Sequence, residues 1–312
     1  MITTMNDTTA AKVAARLDAL RRTSGATTST RVLTLIIVAD DVEAAERGIQ
    51  AATGASREHP CRIIAVVAGG TNGSTGIDAQ IRVGGDAGLS EVVLLRPKGG
   101  PRDAIDTLVM PLLLPDAPIV VWWTGEPPPV PSADPLGAMA QRRITDVTAC
   151  ADPLASLVGL APGYAPGDTD LAWSRVTLWR GLLAATLDEP PHEPITEVTV
   201  TGAPGRPSVY MLAGWLADSL DVPVRIGEED SRAVTAIELD RDRGPISLRR
   251  KPGGSVAVLS RPGRIDQRIN IPERTLADCL TEELRRLDAD ETYGRALTKG
   301  LPALVAARTE ES

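Results

Sequence analysis

Several groups of residues have the types and spacing to do chemistry. The glycine series Gly69, Gly70, Gly73 and Gly76 would let backbone donors approach a phosphate closely. Its context argues against that use. A dinucleotide fingerprint runs strand, glycine turn, helix, whereas Ile77 to Val83 reads as another strand and no Gly-Lys pair with a following Ser or Thr is present. The series is therefore expected to be a hairpin loop. His59-Pro60-Cys61 brings a base and a thiol to one side of a strand, but a nucleophilic pair needs a third group to orient the base, and a packed thiol is the expectation. With His192 the only other histidine and Cys61, Cys150 and Cys279 far apart, no tetrahedral N/S site has the required spacing. Asp168 and Asp170 are hard-cation ligands by type. Standing where a helix begins, they are expected instead as its N-cap and first-turn carboxylates. These residues imply no metal and no cofactor.

The most informative segment is Leu171 to Leu187, whose apolar side chains surround nearly the whole helical circumference. Arg175 and Trp179 share one face at i, i+4, while Trp173 and Arg180 share another roughly 140° away, so each arginine can stack over a tryptophan. Two readings follow: a central helix whose arginines reach out to water, or a partner-facing surface of the residue types that dominate binding hot spots. On the second reading Arg142, Arg143, Trp173, Arg175, Trp179 and Arg180 are the partner-binding candidates. A basic stretch from Arg241 to Arg268, with eight basic and two acidic residues, reads as a solvated sheet face or as a surface that steers an acidic partner.

Composition narrows the classes. The chain has 312 residues, 33 basic against 41 acidic side chains and a net charge of −8. At about 150 residues per domain the length suggests two globular domains, placed at 1–160 and 161–312 by a Pro/Gly cluster from Ala161 to Gly167. An acidic chain is a poor candidate for gripping nucleic acid through counterion release. The apolar stretch Val209 to Ala217 is about half the roughly 20 residues needed to cross a bilayer, and Met1 to Arg22 spaces Val13, Leu17 and Leu20 as an amphipathic helix rather than a signal peptide. A soluble, cytoplasmic protein is expected.

The elements that must position these residues change character midway. Arg31 to Ala39, Arg62 to Ala68, Glu91 to Arg96 and Ile119 to Trp123 are apolar runs without alternation, separated by helix-length patterns, which predicts a largely parallel sheet flanked by helices. Ile77 to Val83 is expected to enter as an antiparallel hairpin, and Ile144 to Cys150 as a last strand. Five prolines from Gly125 to Pro135 predict a rigid surface loop. In the second half Gly244-Pro245, Pro252-Gly253-Gly254 and Pro262-Gly263 punctuate short alternating strands, an antiparallel meander whose last strand should bury Ile265, Ile269 and Ile271. A helix opened by Pro272 carries Leu276, Leu280, Leu284 and Leu287 as an apolar stripe. The fold class expected is thus α/β with a mostly parallel sheet, followed by an α+β domain.

Taken in order, Ser56 to Arg62 (SREHPCR), Leu108 to Trp123, Asp134 to Asp146 (DPLGAMAQRRITD), Asp168 to Arg180 (DTDLAWSRVTLWR), Pro262 to Arg264 and Asp278 to Leu297 resemble the OpcA family, the glucose-6-phosphate dehydrogenase assembly proteins of actinobacteria and cyanobacteria. The family's tryptophan segment reads WTRLTPWR, where this chain has Ser174, Val176 and Leu178 in place of Thr, Leu and Pro. The resemblance implies a non-enzymatic factor that binds glucose-6-phosphate dehydrogenase and favours its active oligomer. The rival reading is a sugar-phosphate or nucleotide-binding α/β enzyme, suggested by the parallel-sheet pattern and by Arg142, Arg143 and Arg175.

Overall fold

A computed structural model describes residues 1–23, 32–68, 76–84, 91–98 and 105–311, so Gly69, Gly70 and Gly73 of the glycine series lie outside the described residues. The elements in chain order are β1 (Ile2–Thr8), α1 (Ala10–Thr23), β2 (Leu33–Ala39), α2 (Val42–Ala55), β3 (Cys61–Val67), β4 (Ile77–Arg82), β5 (Glu91–Pro97), α3 (Ile105–Val109), β6 (Ile119–Trp123), α4 (Pro135–Met139), β7 (Arg142–Thr145), α5 (Pro153–Leu160) and β8 (Asp168–Asp170). They continue with α6 (Leu171–Ser174), α7 (Thr177–Leu187), β9 (Glu197–Gly202), α8 (Pro207–Leu220), β10 (Val224–Glu228), β11 (Val234–Asp240), β12 (Ile246–Arg250), β13 (Val256–Ser260), β14 (Gln267–Asn270), α9 (Leu276–Arg285), α10 (Glu291–Arg295), a π-helical turn (Ala296–Gly300) and α11 (Leu301–Glu311). Two compact units result. The first comprises Met1–Ala149, Gly167–Thr169 and Thr275–Ala289, and the second Cys150–Pro166, Asp170–Arg274 and Asp290–Ser312.

The first sheet has the order β1-β4-β5-β3-β2-β6-β7-β8. Its centre, β5 to β7, is parallel throughout. Such strands are covered on both faces, which is why LTLIIVA, CRIIAVV and IVVWW lack polar alternation. Strand β4 joins β5 antiparallel, as its alternating sequence predicts. Sequence reasoning missed β1, which pairs antiparallel with β4 at the edge. Helix α9 carries its apolar stripe onto α2 and starts at Thr275 through a reciprocal capping box with Asp278, so Pro272 precedes the helix instead of opening it.

The second sheet has the order β10-β9-β11-β12-β13-β14. Strands β11 to β14 form the expected meander, and β10 pairs parallel with β9. Its last strand starts late: β14 begins at Gln267, Ile271 is buried, and Ile265, expected in the core, is 91 % exposed in the preceding turn. Helix α8 packs against β9, β10 and the π-helical turn. There Gly214 and Gly300 meet main chain to main chain; a Cβ on Gly300 would fall 1.9 Å from the Gly214 carbonyl oxygen.

Three further expectations are corrected. The strand expected at Ile144 to Cys150 is Arg142–Thr145, followed by a 3-10 turn. Asp168 to Asp170 is a short strand; Asp170, not Asp168, is the N-cap, accepting from the Ala172 amide. The single helix Leu171 to Leu187 is two, broken at Val176 (φ −105°, ψ 9°). Leu178 thus falls in the first turn of α7, where the family's proline costs no hydrogen bond.

The Pro262-Gly263-Arg264 turn is also explained. Gly263 takes φ +71°, and Arg264, with Arg261 at 2.7 Å, donates to the Glu189 carboxylate. These two guanidiniums hold the Glu189 carboxyl below its ordinary value. A depressed carboxyl stabilises the fold above its unfolded pKa of 4.5, and the contribution disappears as pH falls through the lower folded value. Carboxyl titration followed by NMR should give a Glu189 midpoint below that of a free glutamate, moving upward in Arg264→Ala.

Candidate functional site

Open parallel sheets bind ligands beyond the carboxyl ends of the strands where the strand order reverses. Here that point lies between β2 and β6, and a cavity of about 330 Å³ opens there, lined by Val38, Asp40, Ala68, Trp123, Glu126 and Pro127 to Pro129 among others. Its chemistry is wrong for a nucleotide. The turn from β2 into α2 is Asp40-Asp41 with no glycine, and the Asp41 carboxylate accepts from the Ala44 amide at 2.7 Å, taking the position a pyrophosphate would need. Asp40, Asp106, Glu126 and Asp134 add negative charge around the cavity, so a phosphate would meet carboxylates where it needs donors.

The candidate arginines of the first unit, Arg142 and Arg143, are used internally. Arg142 and Glu283 form a buried ion pair, and Arg142 also donates to the Asp288 carbonyl at 2.9 Å, pinning the end of α9 to β7. Arg143 pairs with Asp168 and donates to the Ala140 carbonyl at 2.8 Å. Glycine is required at Gly167 (φ +97°), because a Cβ there would meet the Gln141 carbonyl at 2.6 Å. A third buried pair was not foreseen. Arg62 on β3 reaches its register neighbour Glu91 on β5 at 2.9 and 3.0 Å, and Arg21 forms an ion pair with the other carboxylate oxygen at 3.0 Å. The signal was available: each charge opens the apolar run of a buried strand, which demands a partner.

In the second unit α6 and α7 place their tryptophans in the core. Trp173, 2 % exposed, donates from Nε1 to Asp290 at 2.8 Å and meets Tyr293 edge-on at 5.9 Å. The Arg180 guanidinium stacks over its ring at 3.5 Å, the pairing that the spacing allows. Trp179 is also buried, but the cation nearest its ring is Arg250, at 5.4 Å, on β12. Arg175 and Arg180 are half-buried, and Leu178 between them is 41 % exposed. Cys61, Cys150 and Cys279 are not disulfide-bonded to one another, and all three are buried. Among the described residues no three His, Cys, Asp or Glu side chains are grouped to hold a metal, and no helix is long and apolar enough to cross a membrane.

Comparison with known proteins supplies the family. Residues 52–162 match the model of the glucose-6-phosphate dehydrogenase subunit N-terminal domain, and residues 166–297 that of the C-terminal domain, both of OpcA type. A Synechococcus elongatus protein bearing the name OxPP cycle protein OpcA is 30 % identical over 138 residues, which is 42 % of this chain and 31 % of that relative's length. Among solved structures, biliverdin reductase from Synechocystis sp. PCC 6803 is 12 % identical over 89 % of this chain and 99 % of its own, with a TM-score of 0.44. An oxidoreductase from Sinorhizobium meliloti is 10 % identical over 89 % and 98 %, with a TM-score of 0.48. Likenesses this loose carry no argument about chemistry. The two family matches, lying end to end along the chain, do: this protein belongs to the OpcA family.

Proposed function

We propose that this chain binds glucose-6-phosphate dehydrogenase in the cytoplasm and acts as a non-enzymatic assembly factor that favours the enzyme's active oligomer. The observation that carries this reading is the match of both halves to domains described as subunits of that dehydrogenase. The carboxylate-lined crevice at the sheet's switch point supports it, since the place where an α/β enzyme takes its nucleotide repels phosphate here. Such a factor works only by binding the active state of its partner better than the inactive one. Contact is assigned to Leu178, exposed in the first turn of α7, while Arg180 is engaged with Trp173. The buried Trp173, Trp179, Arg142 and Arg143 act from beneath by holding their elements in place.

Mixing the chain with its cognate dehydrogenase should give co-elution, a larger oligomer and faster NADP-linked turnover, within the roughly 5- to 150-fold range of allosteric couplings. Leu178→Asp should weaken co-elution at least about tenfold while unfolding stays within about 0.5 kcal/mol of the parent. Separate elution with unchanged turnover rejects the proposal, as does turnover of a phosphorylated sugar by the chain alone.

A further inference from the structure

The second unit contains a cavity of about 610 Å³ whose charge is opposite to that of the chain as a whole. Five arginines line it against two carboxylates, Asp152 and Glu273. The arginines come from separate places: Arg175 from the break between α6 and α7, Arg206 from the N-cap of α8, Arg232 from the turn before β11, Arg250 from β12, and Arg274 from the segment before α9. The start of α8, a 14-residue helix with no side-chain cap, opens onto the same space through Pro204, Gly205 and Pro207, adding its positive end.

Arg250 shows that the cavity is built to receive something. It is 3 % exposed, and two of its nitrogens are held by the Ile271 carbonyl at 2.7 Å and the Val234 carbonyl at 2.8 Å, so the guanidinium is fixed in orientation. Its Nε is buried with no hydrogen-bond partner. The nearest carboxylate, on Glu273, is 3.9 Å away and 43 % exposed. Burial therefore pulls the Arg250 pKa below its ordinary value, with Glu273 only partly opposing it. A buried cation under-supplied with counter-charge is stabilised by any anion that enters.

We propose that this cavity binds a small phosphorylated metabolite, a phosphomonoester of sugar size. Arginines that line one cavity from several elements suit an anion with three oxygens better than one planar carboxylate. The volume exceeds what phosphate alone fills and is within the range of small-molecule pockets. Trp179, Val176 and Val234 in the wall offer an apolar face to a carbon skeleton. The site needs no chemistry of its own, and its occupancy is read on the chain without the dehydrogenase.

Calorimetry on the isolated chain tests it with three probes: glucose 6-phosphate, inorganic phosphate and glucose. Saturable heat is expected with the hexose phosphate, at least about tenfold weaker binding with phosphate, and none with glucose. Arg250→Met is the direct variant but removes two structural hydrogen bonds, so the decisive variant is Arg206→Ala with Arg232→Ala on the rim. That pair should weaken hexose phosphate binding tenfold or more at an unchanged unfolding midpoint. Flat traces with both phosphates, undiminished binding in the rim variant, or equal affinity for phosphate and hexose phosphate would overturn the assignment.

Discussion

Replacing Glu283 by alanine should destabilise the first unit by about 3–5 kcal/mol, the usual cost of leaving a buried charge without its partner. Both side chains of the Arg142–Glu283 pair are within 5 % of complete burial, so water cannot replace the carboxylate. The Asp288 carbonyl remains as an acceptor for Arg142, but it carries no full charge. Because 141 residues separate the two partners, the pair also closes a long loop that brings α9 back to β7. The double replacement Arg142→Met with Glu283→Leu should recover most of the loss, since an apolar pair needs no desolvation. Urea unfolding of the two variants and of each single change completes the cycle. Equal midpoints for the parent and Glu283→Ala would show that the pair does not hold the unit together.

The parallel sheet was legible because it is buried on both faces, and a strand-length run without polar positions has no side to turn toward water. The edges were not. The amphipathic helix expected over Met1 to Arg22 absorbs Met1 to Thr8, and only the partner β4 turns that segment into a strand, with backbone pairing in place of apolar burial. The break at Val176 is invisible for the opposite reason: apolar residues continue through it, and a periodic pattern does not register one residue leaving helical dihedrals. Ile265 fitted the parity of a strand that had not yet begun. In each case tertiary context decided the local outcome.

The site was legible in its residue types but not in their use. The stretches that carry the family resemblance meet one another in space: Arg142 with Glu283, Arg143 with Asp168, Trp173 with Asp290 and Tyr293. Charges that look like contact residues in one dimension become internal pairs, because partners that far apart along the chain leave no local signal. The arginine-lined cavity escaped for the same reason, since its five cations come from five separate segments.

Trp173→Ala should cost about 3–5 kcal/mol in the second unit, the range for emptying a buried indole site. Three contacts go with the ring: the edge against Tyr293, the stack beneath Arg180, and the Nε1 bond to Asp290. The last matters most for local order, because the other oxygen of that carboxylate accepts from the Tyr293 amide at 3.0 Å and caps α10. Trp173→Phe keeps an aromatic ring and removes the donor, so it should cost about 1–3 kcal/mol. The comparison with Leu178→Asp separates the two readings of this segment. If the indole is core, thermal unfolding moves in both Trp173 variants, whereas Leu178→Asp loses the dehydrogenase at an unchanged midpoint. If Trp173→Ala instead unfolded like the parent and failed only in binding the dehydrogenase, the ring would belong to the contact surface and the buried packing around it would contribute little to the fold.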